Sequence, residues 1–484
     1  MSDPAADIAT LIERSRKAQA QIANYTQEQV DELITAMVYA VAREDRAEEI
    51  AKFTVEETQL GNYDGKYLKI HRKTRATLMD IIDDKSVGVI EELPERNIVK
   101  IAKPIGVIGA LSPSTNPEAT PVIKGIAAVK GRNSIIVAPH PRAKLTNKMI
   151  CDYMREALEL CGAPADLVLY IETPSLDLTN QLMAQCDRIL ATGGGPMVTA
   201  AYSSGTPALG VGVGNACITV DDTANLDEAA EKIRISKTLD LAASCSSDNS
   251  VLLFESIYDE MLAKLVAEGG YVLNEAEKAK LQATIWHDGH LNTAEAEKAK
   301  LQATIWHDGH LNTAIVAQSV YKIAGMAGID LPEGREFLII PETGAGPEYP
   351  FSGEKLSVTM ALYKVKDIND AIEMTNAIQA YQGEGHSCGI YSYSDENIMQ
   401  FAHQTRTSRV MVNQPQSASN SGNLWNGMRQ TFSLGCGSWG GNSTNNNITW
   451  RDLINETWVS KPLAKSKEIP SDEELFGSVM AKFK

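Results

Sequence analysis

PIGVIGALSPSTNP, residues 104–117, decides how the rest of the chain is read. Ile105–Leu111 is an uninterrupted non-polar run of strand length, and it stops in a loop of Ser, Pro, Thr and Asn. A run without polar alternation reads as a strand buried on both faces. The same texture continues beyond it. Residues 118–130 read as a helix, NSIIVAPHPRAK (133–144) as strand then loop, and 145–161 as a second helix. LVLYIE and RILATGG are further strands, and a helix follows Pro196. Strands alternating with helices predict an α/β fold around a parallel sheet covered on both faces. In such sheets ligands gather at the carboxyl ends of the strands, where these polar loops lie.

Outward from that core the pattern is simpler. Residues 5–60 read as two amphipathic helices divided near Asn24–Thr26, and a third covers about 66–84. SVGVIEELPERNIVKIAKP (86–104) alternates about a PERN turn and reads as a β-hairpin. Near the other end, ITWRDLINETWVSKPL (448–463) contains a strand suited to pair with that hairpin, and the tail 465–484 is charged. Residues 314–382 alternate short strands and helices, 395–405 is helical, and RVMVNQPQS (409–417) is strand and loop.

Composition excludes several classes. At 484 residues two or three domains are expected. The 45 Lys and Arg against 62 Asp and Glu give a net charge of −17, with no basic block, so a nucleic-acid partner is not expected. Seven scattered cysteines point to a reducing compartment rather than a disulfide framework. The first twenty residues carry charges throughout, unlike a secretion signal, and no non-polar run approaches a membrane span. A cytoplasmic enzyme is the expectation, with neither membrane nor metal. EAEKAKLQATIWHDGHLNTA occurs at 275–294 and again, unchanged, at 295–314. Two identical copies are not a solenoid, and one copy is expected to serve the fold while the other lies at the surface. His287/His290 and His307/His310 have no carboxylate or cysteine at useful spacing for a metal.

Five stretches carry candidate chemistry. SKTLDLAASCSSDNSVLLFES (236–256) places Cys245 in a Ser/Ala-rich connection between a helix (226–239) and a buried strand, next to Ser244, Ser246, Ser247 and Asp248. Such a connection leaves a thiol accessible, where a helix or strand would bury it. ATGGGPMVTAAYSSG (191–205) ends a strand in three glycines and opens a helix at Pro196, an arrangement that suits an anion at a helix N-terminus. GVGVGN (210–215) is a second glycine-rich loop. YQGEGHSCGIYS (381–392) presents His386, and SLGCGSWGGNSTNNN (433–447) is a Gly/Asn/Ser loop containing Cys436, a competing nucleophile by environment. Cys151, Cys161, Cys186, Cys217 and Cys388 lie in or beside regular elements and read as packing groups.

Taken together, KPIGVIGALSPSTNP, RNSIIVAPHPRAK, LATGGGPMVTAAYSSGTPALGVGVGN, SKTLDLAASCSSDNS, EKLS, GEGHSCGIYS and LGCGSWGGN resemble, in order, the motifs of the CoA-acylating branch of the aldehyde dehydrogenase superfamily. The resemblance spans roughly residues 100–445, and only the duplicated block is foreign to it. It implies an aldehyde dehydrogenase-like fold. A Rossmann-like cofactor domain (1–240) carries the hairpin, an α/β catalytic domain (241–432) contains the duplicated block, and 433–484 returns to the cofactor domain and supplies an oligomerisation strand. It implies that Cys245 is the nucleophile, that the Asn116 amide helps form an oxyanion hole, and that His386 serves CoA attack or proton transfer. The resemblance implies the pyrophosphate turn at Gly193, Gly194 and Gly195 and Glu354 on the nicotinamide ribose. Ser112, Pro113, Thr115, His140, Pro141, Thr192, Gly212 and Gly214 are expected about the nucleotide, and Arg142 and Lys144 are expected to meet the 2′-phosphate of NADP, the adenosine phosphates of CoA, or solvent. NAD or NADP and coenzyme A as co-substrate follow from the resemblance, as does a homodimer or homotetramer.

Hydrolytic relatives carry a glutamate in an ELGG-like stretch that activates water. GVGVGN stands there instead, with no acidic side chain, so CoA is favoured over water as acyl acceptor. A hydrolytic dehydrogenase and an inactive structural relative are the rival readings. Residues 409–441 are most similar to branch members acting on sulfoacetaldehyde, and less so to those for succinate semialdehyde or acetaldehyde. An anionic aldehyde tail would then meet Gln416, Asn426 or Arg429.

Overall fold

The computed structural model describes residues 3–282, 306–307, 310–311 and 314–483. The histidines of the duplicated block lie outside the residues whose side chains are described.

The expected α/β architecture is present as two parallel sheets. The first has five strands, in the order Val168–Tyr170, Ser134–Pro139, Val107–Ser112, Arg188–Thr192 and Ala208–Val211. Its central strand, Val107–Ser112, lies within PIGVIGALSPSTNP, is buried throughout and is paired in register with Ser134–Pro139 from Val107–Ser134 onward. The second sheet has seven strands, in the order Gly270–Val272, Phe337–Pro341, Thr359–Val365, Asp248–Phe254, Ala216–Val220, Cys388–Tyr391 and Val410–Val412. The chain passes between sheets within GVGVGN, between Val211 and Ala216, rather than at residue 240. The helix Leu226–Thr238 already packs Ala229, Ala230 and Ile233 into the core of the second sheet. Trp450 and Leu453 return to the core beside the first sheet.

The hairpin forms from Gly88–Leu93 and Ile98–Pro104. Ile454–Ser460 adds to it antiparallel, with Ile454 opposite Pro104 and Ser460 opposite Ile98. That strand is an edge, exposed from Asn455 onward. Among the described residues no helix is long and apolar enough to cross a membrane.

The N-terminal region departs from expectation. Three helices, not two, fill it: Pro4–Ile22, Gln27–Ala42 and Glu44–Thr58. The extra break is a single extended residue, Arg43, between a helix end and the acidic first turn Glu44–Asp45, which suits the positive end of a new helix dipole. No glycine or proline marks it. The next helix starts at Tyr63, capped by Asn62, and ends at Ile81, with one π-helical turn over Lys69–Lys73. Turns of that kind concentrate at functional sites.

Candidate active site

The facing ends of the two sheets enclose a cavity of about 680 Å³. Cys245 lines it, in the short connection between the Leu226–Thr238 helix and the Asp248–Phe254 strand. Its Sγ lies 3.2 Å from His386 Nε2. The imidazole is fully buried, and its Nδ1 meets Ser387 Oγ at 2.9 Å, a hydroxyl that also accepts from Asn420 Nδ2. Burial, aided by the Arg409 guanidinium, holds His386 down at about 3, so the ring is neutral. Burial, with the nearby Glu354 carboxyl, pushes the Cys245 thiol up to about 12. The resting pair is thus thiol and neutral imidazole. A neutral imidazole at this distance can take the thiol proton as sulfur attacks.

Asn116 lines the same cavity from the loop after Val107–Ser112. Gly214 lets the Cys245 segment close on the glycine loop. A Cβ there would stand 1.9 Å from the Cys245 carbonyl oxygen. Glu354 lines the cavity too. Burial raises its carboxyl to about 8, against a backbone hydrogen bond from Gly214, and its buried Oε1 has no hydrogen-bond partner.

The nucleotide residues divide. Pro113, Thr115, His140, Arg142, Thr192, Gly193, Gly194, Gly212 and Gly214 line the cavity. Gly195 begins the helix Gly195–Ser203, whose N-cap Gly194 provides no side-chain cap; Pro196 carries no N–H, and the Met197 N–H donates to the Gly194 carbonyl at 3.0 Å. Buried hydroxyls of Ser112 and Thr192 are unpartnered. Glycines that leave room, together with orphaned polar atoms at Thr192 and Glu354, fit a dinucleotide. Ser112, Pro141, Lys144 and Gly195 do not line the cavity. Pro141 starts the short turn Pro141–Ala143, and exposed Lys144 begins the next helix.

The three side chains expected against an anionic tail are not brought there. Arg429 is drawn off by Asp80 and Asp84, each at 3.2 Å. Asn426 donates to Gln414 Oε1 and the Ser419 carbonyl, and Gln416 is buried beneath the site. Cys436 is fully buried behind Gly212, which leaves Cys245 as the thiol facing the cavity. The cations that do line the cavity were missed: Lys69, Arg72 and Lys73, on the π-helical turn. KYLKIHRK reads as a solvated face, yet its basic residues at helical spacing point at the chemistry.

Two parallel sheets with a buried thiol–imidazole pair opposite a glycine-lined nucleotide turn define a cysteine-dependent, nucleotide-linked oxidoreductase. Residues 2–295 match the aldehyde dehydrogenase family. A sulfoacetaldehyde dehydrogenase of an Acholeplasma species is 43% identical over 99% of this chain and 95% of its own. An acetylating succinate-semialdehyde dehydrogenase of Clostridium kluyveri is 39% identical over 97% of this chain and 99% of its own. The crystal structure of an acetylating aldehyde dehydrogenase from Geobacillus thermoglucosidasius superposes with a TM-score of 0.88 at 35% identity, covering 97% of this chain and 98% of that one. The chain belongs to the aldehyde dehydrogenase family, and the Clostridium and Geobacillus relatives are acetylating members of it.

Proposed function

We propose that the chain oxidises an aldehyde with NAD or NADP and transfers the acyl group from Cys245 to coenzyme A, with sulfoacetaldehyde as the foremost substrate. The observation that carries this reading is the 3.2 Å contact between Cys245 and neutral His386 in a cavity whose only carboxylate, among the described residues, is Glu354. Cys245 Sγ adds to the carbonyl carbon while His386 Nε2 takes its proton. The oxygen becomes negative as this happens, and Asn116 Nδ2 and the Cys245 N–H are the donors offered to it. The nicotinamide ring, when bound, supplies the hydride acceptor, held by the Gly193–Gly195 turn and by Glu354 on the ribose. What remains is a thioester on Cys245. His386 first gives that proton up to solvent, then takes the proton of an incoming thiol and returns it to Cys245 Sγ as the thiol displaces the sulfur from the acyl carbon. Water lacks comparable help, because burial keeps Glu354 protonated at neutral pH.

An anionic tail is supported by charge. In a chain of net charge −17, Arg72 and Arg142 line the cavity beside Lys73, which burial lowers to about 7, while Lys69 is already paired with Asp240 and Glu354 is held protonated. Arg72 has no hydrogen-bond or ion-pair partner among the described residues, which leaves its guanidinium available to a sulfonate. The exposed edge strand Ile454–Ser460, with half-exposed Trp458, supports assembly as a homodimer or homotetramer.

The test measures reduced cofactor from sulfoacetaldehyde, succinate semialdehyde and acetaldehyde, each with NAD and NADP, with and without CoA. The native chain is compared with Cys245→Ala. Turnover that needs CoA and vanishes in the variant is expected. Equal turnover without CoA would make water the acceptor and overturn the acylating reading.

A further inference from the structure

An asparagine amide is a poor oxyanion donor unless something chooses which end faces the substrate. The torsion that turns it is soft and nearly two-fold, so oxygen and nitrogen exchange places at little cost. Asn116 has that choice made for it. Lys69 Nζ lies 2.6 Å from Asn116 Oδ1. An ammonium has only donors, so the atom facing it must be the carbonyl oxygen, and Nδ2 is turned the other way. Its remaining contact, to Thr115 Oγ1 at 3.3 Å, is long. The bond from a cation also polarises the amide, which strengthens the opposite N–H as a donor.

Lys69 is itself fixed from behind. It donates to the carboxylate of Asp240, which is shared with Lys66 at 2.8 Å and accepts the Asn62 N–H at 2.9 Å. Lys66 donates in addition to the Thr115 carbonyl at 2.6 Å, one residue before Asn116. Glu118 balances the second positive charge, at 3.6 Å from Lys66 and 3.9 Å from Lys69. All four side chains are buried or nearly so. Asp240 stands five residues before Cys245. One carboxylate thus ties the nucleophile's segment to the support of the amide across the cavity.

We infer that Lys69 is a positioning residue: by holding Asn116 Oδ1, and being held by Asp240, it aims Asn116 Nδ2 at the substrate oxygen. The inference rests on the oxyanion reading of Asn116 made above. It acts in the transition state, where the oxygen is charged, and so it belongs to kcat more than to KM.

The experiment compares Lys69→Met, Asn116→Ala and the double variant, using whichever of the three aldehydes the native chain turns over fastest. Alkylation of Cys245 by iodoacetamide is followed in parallel. Lys69→Met is expected to lower kcat by about 10- to 100-fold, below the 10²–10³ of losing a donor outright. KM should change less than about 3-fold. Added to Asn116→Ala it should cost less than about 3-fold more, because Lys69 works through that amide. The alkylation rate should stay within about 2-fold, since the cysteine segment keeps Lys66 as its anchor. Full multiplicative loss in the double variant, or alkylation that falls with kcat, would assign Lys69 to holding the loop and overturn the inference. So would native kcat in Lys69→Met where Asn116→Ala is impaired. Native kcat in Asn116→Ala would instead refute the oxyanion reading itself. Should the methionine variant melt early, Lys69→Arg, which retains the charge and a donor, is expected to recover kcat to within about 10-fold. Failure to recover in a folded arginine variant would count against the inference.

Discussion

Gly214→Ala is the sharpest perturbation of the site, because it adds one methyl group in a place the nucleophile already occupies. The new Cβ would stand 1.9 Å from the Cys245 carbonyl oxygen, 2.6 Å from its carbon and 2.8 Å from its Cβ. These are backbone atoms and a side-chain root, with no flexible end to swing away. Restoring ordinary contact means moving from 1.9 Å to about 3.4 Å, a separation of some 1.5 Å between the glycine loop and the cysteine segment. The Cys245–His386 distance is 3.2 Å, and a displacement of half that length removes the proton path. Misplacing a reacting group by about 1 Å costs on the order of 10²-fold in rate, equivalent to about 2.7 kcal/mol. Overpacking costs a further ~1–3 kcal/mol of stability. We expect kcat for the preferred aldehyde to fall at least about 100-fold, with the alkylation rate of Cys245 falling in step. Gly325→Ala is the control: its Cβ would meet nothing within 4 Å, and kcat should stay within about 3-fold. A Gly214→Ala protein with near-native kcat would refute the placement of Cys245 against this loop.

Other consequences can be checked singly. The Glu354 carboxyl is raised by burial from 4.5 to about 8, so the stability it contributes is complete below pH 4.5 and lost as pH rises through 8. Urea unfolding should therefore show Glu354→Gln gaining on the native chain across pH 5–8, by at most about 1.4 kcal/mol per unit; a constant gap would refute the raised value. Arg72→Leu should raise KM for sulfoacetaldehyde about 10-fold or more and leave acetaldehyde within about 3-fold, as loss of one charge-assisted bond would; equal effects on both aldehydes would remove Arg72 from the tail. Gly65→Ala would put a Cβ 2.6 Å from the Asp240 Cα, and should lower both melting temperature and kcat. Deleting 295–314 should leave kcat unchanged, because the first copy already supplies the helix Glu275–Gln282, buried Leu281 and the Lys278–Glu342 pair.

The sheets were legible because burial on both faces leaves an unbroken apolar run, and that signal is local. The hairpin and its partner Ile454–Ser460 were legible for the same reason, by alternation and a turn. Cys245, Asn116, His386 and Glu354 could be marked by motif, and the fold brings all four to one cavity or its wall. The cations could not. Lys66, Lys69, Arg72 and Lys73 have the spacing of a solvated helix face, and only the tertiary contact with Asp240, 171 to 174 residues away, turns that face inward. Arg429 failed in the opposite sense. Its residue type suited an anion, but Asp80 and Asp84, roughly 350 residues earlier, neutralise it. The break at Arg43 was invisible because helix propensity and periodicity continue across it.

The least legible feature is the one that sets up the nucleophile. Asp240, Leu241 and Ala242 have φ of 49°, 52° and 61°, three consecutive left-handed residues without a glycine among them. Each such residue costs of order 1–3 kcal/mol and persists only where its surroundings over-determine it. Here the surroundings are explicit. Lys66, Lys69 and the Asn62 N–H fix the Asp240 carboxylate, while Gly61 and Gly65 clear the volume it enters, since a Cβ on either would come within 2.5 Å of it. The helix that ends at Thr238 is thereby turned sharply into the cysteine segment, instead of running on and burying the thiol as a packing group. The same lysines that stabilise the turn hold Asn116 and its neighbour Thr115 on the opposite wall. Strain in the nucleophile's approach and aim of the amide are consequently set by one buried ionic cluster. A change at Asp240, which anchors both lysines, should be felt at both sides of the reacting carbonyl together, whereas a change in Lys69 or in Asn116 is felt at the amide's side alone.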